Sequence, residues 1–99
     1  FHPHNNLGLA IGNILAAVDE GVTYIDGSLK GFGGGAGNAQ TEVAITALKR
    51  AGHEVNADIF GIMDAADVFS KEVAPQPMPV IDNDSLLMGY ANVYGGYIY

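Results

Sequence analysis

Between Gly8 and Gly52 the chain alternates helix, strand and helix around a glycine-dense loop, a pattern with too few strands to close a sheet. Leu7, Ile11, Ile14, Leu15 and Val18 recur at helical spacing, which predicts a helix over Gly8–Glu20 with Gly21 where a C-cap belongs. Val22-Thr-Tyr-Ile-Asp26 is rich in β-branched and aromatic residues and stops at Asp-Gly, which predicts a short strand. Gly31-Phe-Gly-Gly-Gly-Ala-Gly-Asn38 follows, a run that makes sense where backbones approach closely or φ turns positive. Asn38 is then a good N-cap for a helix over Asn38–Arg50, with Glu42 in its first turn, Lys49 and Arg50 in its last, and Gly52 beyond. Strand end, helix, strand, loop, helix is the order of a parallel α/β architecture. Two parallel strands leave both sheet edges bare, and parallel sheets need cover on both faces. These units therefore belong in a larger barrel.

The rest of the chain reads as helical. Ile59, Ile62, Met63, Ala66, Phe69 and Val73 form one apolar stripe on a helix that Asp58 can cap, and packing is its plain reading. Pro75-Gln-Pro-Met-Pro79 breaks that helix, and another is expected from near Asp84, carrying Leu87, Tyr90, Ala91 and Tyr94. A boundary between the α/β units and an all-helical piece falls near Gly52–Asp58. The opening Phe-His-Pro-His and the apolar stop at Gly-Gly-Tyr-Ile-Tyr give both ends the look of cuts in something larger.

Composition narrows the function classes. Four basic against eleven acidic side chains, a formal charge of −7, exclude a nucleic-acid footprint, which needs clustered Lys and Arg. The absence of cysteine excludes a disulfide scaffold and any thiolate metal site. Hydrophobic residues at 48% against 15% charged give a globular balance, and no apolar run approaches the ~20 residues of a membrane span. The expectation is a soluble, acidic, cytoplasmic protein.

Few residues could carry chemistry. His2 and His4 stand two apart, so on an extended strand both imidazoles share a face and could hold one metal. The spacing equally describes a plain polar pair, and two ligands are too few for a catalytic site. The glycine run satisfies a loose G-x-G-x-x-G/A between strand and helix, but roughly 20 residues on stand His53 and Glu54 beyond a helix end, not an acidic strand end. A loop at a barrel mouth is the better reading. Asp26 ends the strand, where it either supports the histidines or is ordinary turn chemistry. Tyr90 and Tyr94 share a helical face, core packing being the plainer reading and a phenol reaching a site the sharper one.

His2-Pro-His4-Asn-Asn-Leu-Gly-Leu-Ala, Asn13, Ala16-Ala-Val-Asp-Glu-Gly21, Ile25-Asp-Gly-Ser-Leu and Gly31-x-Gly-x-Gly-Ala-Gly-Asn38-Ala-x-x-Glu42-Val together resemble the metal-dependent aldolase and lyase TIM barrels. That family includes hydroxymethylglutaryl-CoA lyase, isopropylmalate synthase and the 4-hydroxy-2-oxovalerate aldolases. The glycine loop lacks the lyases' cysteine and the synthases' Gly-Glu-Arg, while Met63-Asp-Ala-Ala-Asp67 and Gly89-Tyr-Ala-Asn-Val-Tyr94 look like the start of the aldolases' helical domain. The resemblance implies an α/β fold in which residues 1–54 are the last βα units of a TIM (β/α)8 barrel and 55–99 begin a helical communication domain. It implies that His2 and His4 bind a divalent metal, Mn²⁺ or else Mg²⁺ or Co²⁺, and that His2 also touches the substrate. Asn38 matches a metal ligand of the lyase and synthase relatives, and Tyr94 matches a tyrosine of the aldolase substrate pocket with a catalytic role. The implied reaction is retro-aldol cleavage of 4-hydroxy-2-oxopentanoate, a small 2-oxo acid, to pyruvate and acetaldehyde in aromatic catabolism. The implied partner of the parent enzyme is an acylating acetaldehyde dehydrogenase. The family's Arg-Asp pair, the Asp being the third metal ligand, its base histidine and its carboxylate donors are absent from this sequence, so the chain alone is expected to be inactive. A related synthase-like lyase and a non-catalytic helical interaction module are the alternatives.

Overall fold

The computed structural model describes residues 1–73 and 79–92, and in them the helices follow the sequence periodicity closely. Helix α1 spans Ala10–Asp19 and α2 spans Thr41–Arg50, with a single 3₁₀ turn at Leu29–Gly31 between them. Helix α3, Ile59–Val68, runs on into a π-helical turn at Phe69–Val73, and α4 spans Asn83–Ala91. Gly21 at φ +99° and Gly52 at φ +96° lie just past α1 and α2, where only a residue without a Cβ enters the left-handed region cheaply. Asp58 caps α3 by accepting from Phe60 N–H (3.3 Å) and Gly61 N–H (3.1 Å). Asp82 caps α4 by accepting from Ser85 N–H at 2.8 Å.

Two local expectations are corrected. Asn38 does not cap α2: the helix starts at Thr41, Gln40 occupies the cap position without a side-chain bond, and Asn38 Nδ2 donates instead to Phe32 O at 3.2 Å. Val22–Asp26 forms no continuous ladder among the described residues. It keeps one pairing, in which the Phe1 amine donates to Tyr24 O (2.8 Å) and Phe1 O accepts from Asp26 N–H (2.9 Å). Those are the two slanted bonds a parallel neighbour makes around one residue, here Phe1 beside Ile25. A parallel strand needs a row of partners, and Phe1 supplies one rung.

The core lies between α1 and α2. Ala10, Ile14, Ala39, Ala44 and Leu48 are buried there, with Ile11, Leu15, Val18, Ile25 and Val55 at the margin. His53 Nε2 pairs with Asp19 Oδ1 at 3.1 Å and ties the end of α1 to the turn after α2. Helix α3 packs on α2, and Phe69 meets Phe32 edge-on with ring centres 5.6 Å apart. The apolar stripe of α3 is only partly covered: Ala66 is buried, Ile59 and Ile62 are half-buried, and Met63 is exposed. The core reading of Tyr90 is overturned, since that side chain is 86% exposed, while Tyr94, the other half of that reading, lies outside the described residues. The described residues form a slab of 38 × 36 × 17 Å, too thin to enclose those faces by themselves.

Candidate metal centre

The histidine segment is held on two sides. Beyond the Phe1–Ile25 rung, Asn5 N–H donates to Gly37 O (3.0 Å) and Ala39 N–H to Pro3 O (3.3 Å). These bonds set His4 directly opposite Asn38 in an antiparallel bridge. Such a non-hydrogen-bonded pair brings opposing Cβ atoms to about 4.5–5.5 Å. Pro3 is buried while His2 and His4 are exposed, as period-two alternation requires. Their rings meet edge-on with centres 5.0 Å apart, and Asp26 Oδ2 stands 3.6 Å from His2 Nδ1. Asn5 closes the segment: its Oδ1 accepts from Ala10 N–H at 3.3 Å, doing from a distance what Leu9 at the α1 cap position cannot.

The glycine loop brings Asn38 to this place by doubling back on itself. Gly31, Gly35 and Gly37 have φ of +71°, +59° and +85°. A Cβ at Gly37 would fall on the Gly31 carbonyl oxygen, and one at Gly33 would sit 2.5 Å from Asn38 Nδ2. The neck is closed by Asn38 N–H donating to Gly31 O (2.9 Å) and, beside it, by the parallel Ser28–Gln40 bridge. Ser28 N–H donates to Ala39 O (3.0 Å) and Thr41 N–H to Ser28 O (2.9 Å).

Helix α4 seats on the same loops through glycines. Asn6 Nδ2 donates to Ser85 O at 3.1 Å, and Ser85 is buried. A Cβ at Gly89 would press on Leu7 and Asn6, one at Gly37 on Pro79, and one at Gly8 on Ile81. The segment 79–92 therefore lies across the histidine turn and the glycine loop. Tyr94 lies outside the described residues, two positions past Asn92. Sequence reasoning singled out His2, His4, Asn38 and Asp26, which the structure brings near one another, and did not foresee this seam, whose signal is the set of glycines at 8, 37 and 89. It also read Glu42 as ordinary helix-start acidity, whereas the side chain is buried against the loop neck.

In kind, two imidazoles, an amide and a nearby carboxylate suit a divalent ion of the Mn²⁺ or Zn²⁺ sort. In number they fall short, because no three His, Cys, Asp or Glu gather around one point among the described residues. A cation held here would need further ligands. On the far side of Ile25 an open apolar groove of about 490 Å³ runs between α1 and α2, lined by Val18, Val22, Ile25, Leu48 and Val55 among others.

Residues 1–69 match the HMGL-like family. A 4-hydroxy-2-oxovalerate aldolase of Pelotomaculum thermopropionicum is 54% identical over 99 residues, covering 99% of this chain and 28% of the relative. One from Carboxydothermus hydrogenoformans is 49% identical over 100 residues, again 99% of this chain and 29% of the relative. Among solved structures, the N-terminal domain of a Bacteroides vulgatus protein classed as an aldolase superposes with a TM-score of 0.81 at 30% identity, over 94% of this chain and 30% of that one. The chain thus spans under a third of the length of the curated relatives it matches.

Proposed function

The chain belongs to the HMGL-like family, and from that premise we propose that it is part of a divalent-metal-dependent aldolase cleaving 4-hydroxy-2-oxopentanoate to pyruvate and acetaldehyde. Residues 1–54 are then the last βα units of a TIM barrel and 55–99 the start of its helical domain. The observation that carries the reading is His4 opposite Asn38 with the His2 ring beside it. The parallel rung at Ile25 and the open groove flanking it support the barrel, since a missing neighbouring strand would lie there. His2, His4 and Asn38 are the residues that would hold the cation, which supplies Lewis acidity to the oxygens of a bound 2-oxo acid.

The remaining chemistry of this chain is positioning. Asp26 Oδ2, 3.6 Å from His2 Nδ1, would help orient the imidazole. The family pattern gives His2 a substrate contact and Tyr94 a catalytic and substrate-binding role. The proton acceptor, the third protein ligand and the carboxylate donors belong to the rest of the enzyme. An acylating acetaldehyde dehydrogenase is the fitting partner for a protein that releases a reactive aldehyde, in a cytoplasmic route of aromatic catabolism with Mn²⁺ as the working ion. Among the described residues no helix is long and apolar enough to cross a membrane.

A pyruvate-coupled assay on the full-length enzyme tests the proposal. Wild type should turn over 4-hydroxy-2-oxopentanoate only with Mn²⁺, Mg²⁺ or Co²⁺, and His4→Ala should abolish cleavage. Turnover by the 99-residue chain alone, or metal-independent turnover by the enzyme, would defeat the reading.

A further inference from the structure

Glu42 is the one buried ionisable side chain among the described residues, 9% exposed, and the machinery above gives it no task. It stands in the first turn of α2, and both its oxygens accept from a single donor, Lys30 N–H, at 3.1 and 3.2 Å. No Lys, Arg or His forms an ion pair with it among the described residues. Lys30 is at φ +58°, a left-handed conformation that costs a non-glycine residue and needs outside support. Gly31 continues the left-handed turn at φ +71°, and its carbonyl receives Asn38 N–H at 2.9 Å. A line of contacts thus runs from the Glu42 carboxylate through Lys30 and Gly31 to Asn38, and across the bridge to His4.

We propose that Glu42 is a positioning residue, whose carboxylate locks the Lys30–Gly31 turn and so holds Asn38 opposite His4 in a cation-binding arrangement. A charge-assisted bond is about twice as strong as a neutral one, and the α2 N-terminus offsets the buried negative charge. Both Glu42 oxygens accept from Lys30 N–H rather than from an α2 amide, so capping is not what Glu42 contributes. The bond it makes goes to the loop.

The inference rests on the aldolase reading, and the test separates the two. Mn²⁺ affinity is measured by calorimetry on the full-length protein, with amide hydrogen exchange at Lys30 and Asn38 recorded without metal. Glu42→Ala should weaken Mn²⁺ binding roughly 10–100-fold, the range for losing a group that orients a ligand. The Lys30 and Asn38 amides should lose protection together. Glu42→Gln, which keeps an acceptor of the same reach, should restore affinity to within a few-fold. If Glu42→Ala does not fold, Glu42→Asp withdraws the carboxylate from Lys30 while keeping its charge, and should show the same 10-fold or greater loss. A lowered melting temperature with unchanged Mn²⁺ affinity makes Glu42 a stabiliser only and overturns the proposal. Wild type that binds no Mn²⁺ overturns the aldolase reading and this inference with it.

Discussion

The neck around His4 and the helical flank of α3 and α4 are ordered by different forces. In the neck, Pro3, Asn5, Ser28, Gly31, Gly37 and Ala39 exchange backbone bonds of 3.0–3.3 Å within the chain, and the side chains are small. In the flank, helices are well capped, yet Phe60 is 70% exposed and Tyr90 86%. Among the described residues, the buried hydrophobic ones larger than alanine are Ile14 and Leu48. The neck carries its own specification, because hydrogen bonds and positive φ are local properties. The flank has formed helices whose apolar faces are left open among the described residues.

The hardest blow to the neck should come from one methyl group. Gly37→Ala places a Cβ on the Gly31 carbonyl oxygen and against Pro79 at a φ of +85°, so the loop must open and α4 must shift with it. We expect a loss of roughly 3 kcal/mol or more by denaturant unfolding, from steric overlap and left-handed strain combined. Gly34→Ala in the same loop meets nothing within 4 Å and should cost little. Equal losses at the two sites would mean that glycine content, not geometry, organises the neck.

The second test sets the core against the flank. Ile14 is fully buried between α1 and α2, so Ile14→Ala should cost about 2–5 kcal/mol through lost transfer energy and a cavity. Phe60→Ser on the open face of α3 should stay within about 0.5 kcal/mol in the 99-residue chain. In the full-length protein the same change should become costly if another element covers that face. A silent Phe60→Ser in both contexts would break the contrast drawn here.

How much of this was legible follows the same division. The four helices announced themselves by periodicity and by Asp58, Gly21 and Gly52, because caps and apolar spacing act within one or two turns. His2 and His4 were legible as a pair on one face, since alternation along an extended segment needs no partner. Asn38 was misread as a cap because its true partners, Phe32 O and the His4 segment, are brought together only by the doubling back of the glycine loop. The strand at Val22–Asp26 shows the limit of propensity: β-branched residues favour a ladder, and Phe1 alone cannot provide one. Tyr90 shows the limit of periodicity, which finds an apolar face without saying what covers it.

The smallest effect concerns how α4 is held at its start. Asp82 Oδ1 accepts from Ser85 N–H at 2.8 Å, and the bonds from the Ser85 backbone and side chain hold the Asp82 carboxyl below its usual value of 3.8. A lowered folded-state value means that the unfolded chain binds more protons than the folded one between the two values. The stabilisation is therefore complete above pH 3.8 and is lost as pH falls through the lowered value. The Ser85 amide proton shift, followed by NMR from pH 6 down to pH 2, should titrate with a midpoint below 3.8. Asn accepts the same bond and is as good a cap, so Asp82→Asn should keep α4 seated while removing that titration. Because Ser85 also receives Asn6 at its carbonyl, loss of the Asp82 cap should reach the histidine turn, and the Asn6 side-chain amide signals should move with the same midpoint. A Ser85 shift that titrates while Asn6 stays still would show that α4 and the neck are in contact without being coupled.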